Sequence, residues 1–155
     1  MALDDLYREI ILDHYQNPRG KGEIEHPSVK VHGHNPLCGD KVNVMVVLDG
    51  DQVTDLAFSG RGCSISQASA SMMTESIKGM PSDDADGLIA GFREMMVGSG
   101  SLDGLNGNEE LEALQGVKRY PVRVKCAMLP WNALREALDQ HRSGVAVIDK
   151  EITDA

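Results

Sequence analysis

Three cysteines, at positions 38, 63 and 126, constrain the fold most, because none of them lies inside an apolar run. Cys38 sits in Asn35-Pro36-Leu37-Cys38-Gly39-Asp40 and Cys63 in Gly60-Arg61-Gly62-Cys63-Ser64. Cys126 closes Arg123-Val124-Lys125-Cys126, just before a helical pattern. An inert core cysteine belongs in an apolar strand or helix, whereas these flank glycine, charge or a helix start. Cys38 and Asp40 can turn toward one point if the backbone bends at Gly39, which takes positive φ without steric cost. Three thiols and one carboxylate make four ligands, so the chain is expected to fold such that distant loops close on a single metal.

The chain of 155 residues suits one domain over residues 1–155 and is long enough to bury a real core. Its 15 basic and 24 acidic residues leave a net charge of −9, which disfavours nucleic acid and anionic membranes and leaves room for a basic protein partner. Met1-Ala2-Leu3-Asp4-Asp5-Leu6 has acids where a signal peptide needs bases, and no long apolar run follows, so the expectation is a cytosolic protein. In a reducing compartment three cysteines do not make a disulfide framework.

Leu3, Leu6, Tyr7, Ile10, Ile11 and His14 share one helical face, with His14 read as a core or boundary residue, and Asn17-Pro18-Arg19-Gly20 ends the helix. After a polar connector, Ser28 to His32, Lys41 to Leu48 and Gln52 to Ser59 read as strands, the last two joined by the turn signal Asp49-Gly50-Asp51. In the third, Leu56 and Phe58 are placed on one face, Val53 and Ala57 on the other. Three strands in succession before a long helix predict an antiparallel meander in an α+β fold. Ser64-Ile65-Ser66-Gln67 has capping-box form, so a helix should run to about Lys78 with Cys63 just outside its positive end, a place that favours thiolate. A further helix follows Ser82. The stretch 98–108, with five glycines, reads as an inserted mobile surface loop, and Glu109 to Leu114 as a short helix. Tyr120-Pro121 predicts an extended approach to Cys126, and a last helix from about Ala127 with Pro130 in its first turn, which would put Cys126 at a second helix N-terminus. The tail after Gly144 reads as weakly ordered, although Val145, Val147 and Ile148 could dock.

Thiolates with a carboxylate suit zinc or iron and exclude magnesium and calcium. Asp40 is the informative member, since an oxygen ligand is labile beside sulfur, as a site that admits sulfide or persulfide needs. A metal-bound thiolate is deprotonated and becomes nucleophilic when released, which points to sulfur-transfer chemistry. A small interaction domain with purely structural zinc stays open on the same ligands.

The segments Leu6-Tyr7-Arg8-Glu9-Ile10-Ile11-Leu12-Asp13-His14-Tyr15-Gln16-Asn17-Pro18-Arg19, Asn35 to Asp40, Gly62 to Ser66 and Arg123 to Ala127 resemble the NifU N-terminal/IscU-like family of iron–sulfur cluster assembly proteins. Lys125, where IscU proteins carry a histidine, and the long 91–114 region are more similar to the SufU branch. The resemblance implies a small three-stranded antiparallel sheet packed by helices. It implies zinc held by Cys38, Asp40, Cys63 and Cys126, with Cys38 the persulfide acceptor and Asp40 the labile ligand. The implied partner is a SufS-type cysteine desulfurase, a pyridoxal-phosphate enzyme that lends a histidine to the zinc and frees Cys38; downstream Suf scaffold proteins are further candidates. The alternative is an IscU-type scaffold that assembles a [2Fe-2S] cluster on the same residues and passes it on. Lys125 itself reads more simply as a solvated charge than as a guide for persulfide.

Overall fold

A computed structural model of the protein describes residues 3–36, 39–144 and 149–153. Its elements run α1 (Leu3–Gln16), β1 (Val29–Asn35), β2 (Asp40–Asp49), β3 (Gln52–Arg61), α2 (Ser64–Ile77), α3 (Ser82–Val97), α4 (Glu109–Glu112), α5 (Pro121–Arg142) and β4 (Asp149–Thr153). Two 3-10 segments, Asp103–Leu105 and Ala113–Arg119, flank α4. β1, β2 and β3 form the antiparallel meander that the sequence predicts, in an α+β fold. β4, which the sequence did not announce, extends the sheet to the order β3-β2-β1-β4 and pairs parallel to β1. Of the tail residues expected to dock, Val145, Val147 and Ile148 lie outside the described residues.

In β2, Val42, Val44 and Val46 are buried and join the core cluster, while Lys41 is exposed. The reading of β3 needs a correction. Between Val47 and Leu48 the register slips, so that Val47 faces Asp55 while Leu48 faces Val53, leaving Thr54 as the extra residue. A bulge moves every side chain beyond it to the other face. Val53 therefore joins Leu56 and Phe58 in the core cluster instead of sharing the face of Ala57.

Helices α5 and α2 cover the sheet, α5 against β1 and β2 and α2 against β3. They are locked together by Trp131, which is fully buried and stacks on Phe92 of α3 with ring centroids 4.3 Å apart. Its indole N–H donates to Ser69 Oγ at 2.9 Å, and the Ser69 hydroxyl donates to the carbonyl of Ala127 at 2.6 Å. One serine of α2 thus joins two points of α5, and a polar tie of this kind in a dry core fixes the relative position of the helices.

The glycine-rich stretch lies on the surface, as read, but is pinned. Leu105 is buried, and Gly104 packs so closely on Gly91 of α3 that a Cβ at either would overlap the other's backbone. Close helix-to-loop contact of this kind needs glycine on both sides. Among the described residues no helix is long and apolar enough to cross a membrane.

Candidate metal centre

Asp40 opens β2 opposite Asn35, the last residue of β1, so the hairpin connection carries the Cys38 motif. Gly39 has φ 71° and donates its N–H to the Asn35 carbonyl at 2.8 Å, which confirms the bend the sequence required of it. The Asp40 carboxylate is fully buried and reaches the next element: Oδ1 accepts the backbone N–H of Cys63 at 2.8 Å, and Oδ2 lies 3.6 Å from Cys63 Sγ.

That contact decides how α2 begins. With its N–H held by Asp40, Cys63 takes an extended conformation (φ −69°, ψ 167°) and itself becomes the N-cap, its Sγ accepting the N–H of Ser66 at 3.5 Å. The capping box expected of Ser64 and Gln67 therefore does not form. Ser64 is the first helical residue, and the Gln67 amide is buried with no hydrogen-bond partner among the described residues. The expected placement of a thiol at a positive helix end holds for Cys63.

For Cys126 it does not. Tyr120 is extended, as expected before a proline, but Pro121 occupies the first turn of α5, where its missing N–H costs nothing, so the helix starts there and the extended stretch does not reach Cys126. Cys126 is consequently inside the helix, fully buried, with its thiol 3.5 Å from the carbonyl of Val122, one turn earlier. Pro130 lies in the helix interior, where it lacks the N–H that would bond the Cys126 carbonyl four residues back.

Asp40, Cys63 and Cys126 are nonetheless brought together: one ligand atom from each lies within 4.8 Å of the other two. Sulfur and carboxylate at that spacing fit a tetrahedral zinc or iron ion, with ligand bonds of about 2.0–2.3 Å. Cys38, the fourth residue assigned from sequence, lies outside the described residues. Lys125 is half-buried beside Cys126.

The sequence reading missed Arg123. Its guanidinium is held even more firmly protonated than usual, first by the negative potential of Cys63, then by a hydrogen bond with it, with Cys126 contributing less. Three residues before Cys126, it shares that cysteine's side of α5. The signal was the Arg-x-x-Cys spacing, legible only once Pro121 is taken as the helix start.

Gly62 was noted only as a flanking residue. A Cβ there would overlap Asp40 Oδ1 and come within 2.5 Å of Ser66 Oγ. Gly62→Ala is expected to displace the carboxylate and weaken zinc binding at least about tenfold, as changes to the groups supporting metal ligands do. Competition with a chromophoric chelator measures it, and unchanged affinity would mean that the loop yields freely.

The remaining sequence candidate, His14, is a core residue as read. It is fully buried, with Nδ1 2.8 Å from Ser71 Oγ and Nε2 2.8 Å from Glu110 Oε2, so it ties α1 to α2 and α4. Ser71 Oγ also accepts the N–H of Arg19 at 2.8 Å, leaving its hydroxyl hydrogen for Nδ1. Glu75 completes a second group of metal-ligand type with His14 and Glu110, but these hydrogen bonds already use both ring nitrogens.

A small α+β domain in which thiol and carboxylate side chains able to hold a metal come together from a hairpin and two helices defines a class. The family profile of the NifU-like N terminal domain matches residues 6–146, and the chain belongs to that family. It is 46% identical over 142 residues to the zinc-dependent sulfurtransferase SufU of Bacillus subtilis, covering 92% of this chain and 95% of that protein. It is 36% identical over 152 residues to the iron–sulfur cluster assembly scaffold protein IscU of Streptococcus pyogenes, covering 98% and 94%. Among solved structures, a candidate SUF-system scaffold protein from Fervidobacterium islandicum superposes with a TM-score of 0.75 at 37% identity, over 84% of this chain and 94% of that one.

Proposed function

We propose that the protein is a zinc-dependent sulfurtransferase of iron–sulfur cluster assembly, which takes persulfide sulfur onto Cys38 from a SufS-type cysteine desulfurase. The observation that carries this reading is the convergence of Asp40, Cys63 and Cys126 from three elements onto one point. Two residues from Asp40, Cys38 has its Cα within about 7 Å of that of Asp40 by chain length alone. These four residues would hold the zinc, whose charge keeps the thiols deprotonated at neutral pH. The residues then do the following. The Cys38 thiolate attacks the outer sulfur of the donor's cysteine persulfide. A sulfur–sulfur bond forms to Cys38, the donor's own sulfur–sulfur bond breaks, and the donor cysteine leaves as thiolate with the electron pair. Asp40 keeps Cys63 in place through its N–H, and Arg123 holds positive charge beside the sulfurs.

The test is alanine release from cysteine by the desulfurase, with and without the chain. The wild type is expected to raise turnover, and Cys38→Ala to abolish the increase while leaving the fold. No stimulation by the wild type refutes the reading. The 36% identity to an IscU scaffold favours a second one, a [2Fe-2S] carrier on the same ligands. Anaerobic reconstitution followed by transfer of an intact cluster to an apo-acceptor, without stimulation of the desulfurase, would establish that one instead.

A further inference from the structure

β4 is an element that the sequence did not announce, and it lies beyond the residues that the family profile matches: the match ends at 146, whereas β4 spans Asp149–Thr153. It takes the edge of the sheet parallel to β1, in a register that sets Asp149 opposite Lys30, Glu151 opposite His32 and Thr153 opposite His34. Without it β1 would be an edge strand, with a row of backbone N–H and C=O groups left open. Three of the five residues of β4 are charged, a composition with little apolar surface to bury, so its hold on β1 is mainly the backbone ladder. An element held in this way opens at less cost than the core.

That ladder runs up to the metal hairpin. Its last pair is at His34, and the next residue, Asn35, pairs with Asp40 and accepts the N–H of Gly39. Along the chain β4 follows α5, which carries Cys126, and by its ladder it is joined to β1, which leads into Cys38 and Asp40. α5 packs on β1 so closely that a Cβ at Gly33 would come within 3.1 Å of Leu129 Cδ1. β1 is thus held by β2 on one edge, by α5 on its face and by β4 on the other edge. A strand paired on both edges opens less readily than one with a free edge.

We propose that β4 is a reversible clamp on the metal hairpin; this rests on the reading of Asp40, Cys63 and Cys126 as metal ligands. Docked, β4 fixes the end of β1, and so keeps Asp40, and Cys38 two residues before it, within reach of the metal that Cys63 and Cys126 share. Released, it lets the hairpin open. Coupling between two sites is reciprocal, so zinc must tighten the docking of β4 by the factor by which β4 tightens the binding of zinc. A strand that merely covered the β1 edge against pairing with other chains would behave differently. Its loss would cause self-association and leave zinc affinity alone.

The test uses the full chain. Backbone N–H groups of successive strand residues point to opposite sides, so one of Lys150→Pro and Glu151→Pro removes a ladder donor facing β1, and the other alters the open edge, where a strand tolerates proline. Zinc affinity, read by competition with a chromophoric chelator, is expected to fall at least about fivefold in the first and to stay near wild type in the second. Circular dichroism checks the fold of each. A second measurement needs no variant: amides of residues 149–153 in the wild type should exchange hydrogen at least about fivefold more slowly with zinc bound than without. It decides alone if the proline variants fail to fold. Wild-type zinc affinity in both variants, or exchange at 149–153 that zinc leaves unchanged, overturns the clamp and leaves the metal centre and the proposed activity standing. So does self-association of a variant that keeps wild-type zinc affinity. A wild-type chain that takes up no zinc refutes the metal centre itself, and the clamp with it.

Discussion

Asp40→Ala is expected to lower the stimulation of a cysteine desulfurase at least about tenfold while zinc stays near one per chain, because on the proposed ligand set three sulfurs would still hold the ion and the labile oxygen would be gone. The side chain has two duties that the substitution removes together. It offers an oxygen to the cluster with Cys63 and Cys126, and it accepts the Cys63 N–H at the start of α2. Losing a carboxylate acceptor for a buried N–H costs about 1.5–3 kcal/mol, so the metal-free variant should also unfold at lower denaturant. Asp40→Asn separates the two duties, since its carbonyl oxygen can still receive the Cys63 N–H. Stability should return toward wild type in that variant and stimulation should not. Metal analysis after gel filtration, urea unfolding of the metal-free proteins and alanine release provide the three readouts. Wild-type turnover in Asp40→Ala would refute the role of a labile oxygen.

Trp131→Ala is the substitution expected to cost most in stability, about 3–5 kcal/mol by the usual range for large core side chains. The indole is fully buried, stacked on Phe92, and joined through Ser69 to both α2 and α5. Removing it opens a cavity and leaves the Ser69 hydroxyl with fewer partners. At about 2–4 °C per kcal/mol for a chain of this size, the melting temperature should fall by roughly 6–20 °C. Because α2 starts at Cys63 and α5 holds Cys126, the consequence reaches the metal centre: zinc should stabilise the variant less than the wild type. Trp131→Phe keeps a ring to stack on Phe92 while losing the N–H to Ser69 and part of the indole's volume, so its cost should be smaller than that of the alanine variant. Equal stability of the alanine variant and wild type in calorimetry would show that this contact does not couple the helices.

Much of this molecule is written locally. Valine alternation in β2, the Asp49-Gly50-Asp51 turn and the helical spacing of α1 depend on neighbours within a few residues, and each formed as the pattern says. Where the reading failed, the deciding contact came from elsewhere in the chain. The β3 bulge depends on how two strands pair, so Val53 changed face although its own segment alternates without a break. Ser64 lost the N-cap position to Cys63 because Asp40, on another element, holds the Cys63 N–H. Pro121 could be read as ending an extended stretch or opening a helix, since a proline's φ suits both.

The residues able to ligate a metal were legible from their local motifs, the Cys-Gly-Asp spacing and the glycine, charge or helix start beside each cysteine, because that chemistry and spacing are local to the chain. Asp40, Cys63 and Cys126 were named on that basis. Their mutual distance and the arginine beside the two cysteines were not, because each is a relation among residues far apart in the sequence. Such relations are set by packing of α2 and α5 on the sheet, and only the tertiary structure records them.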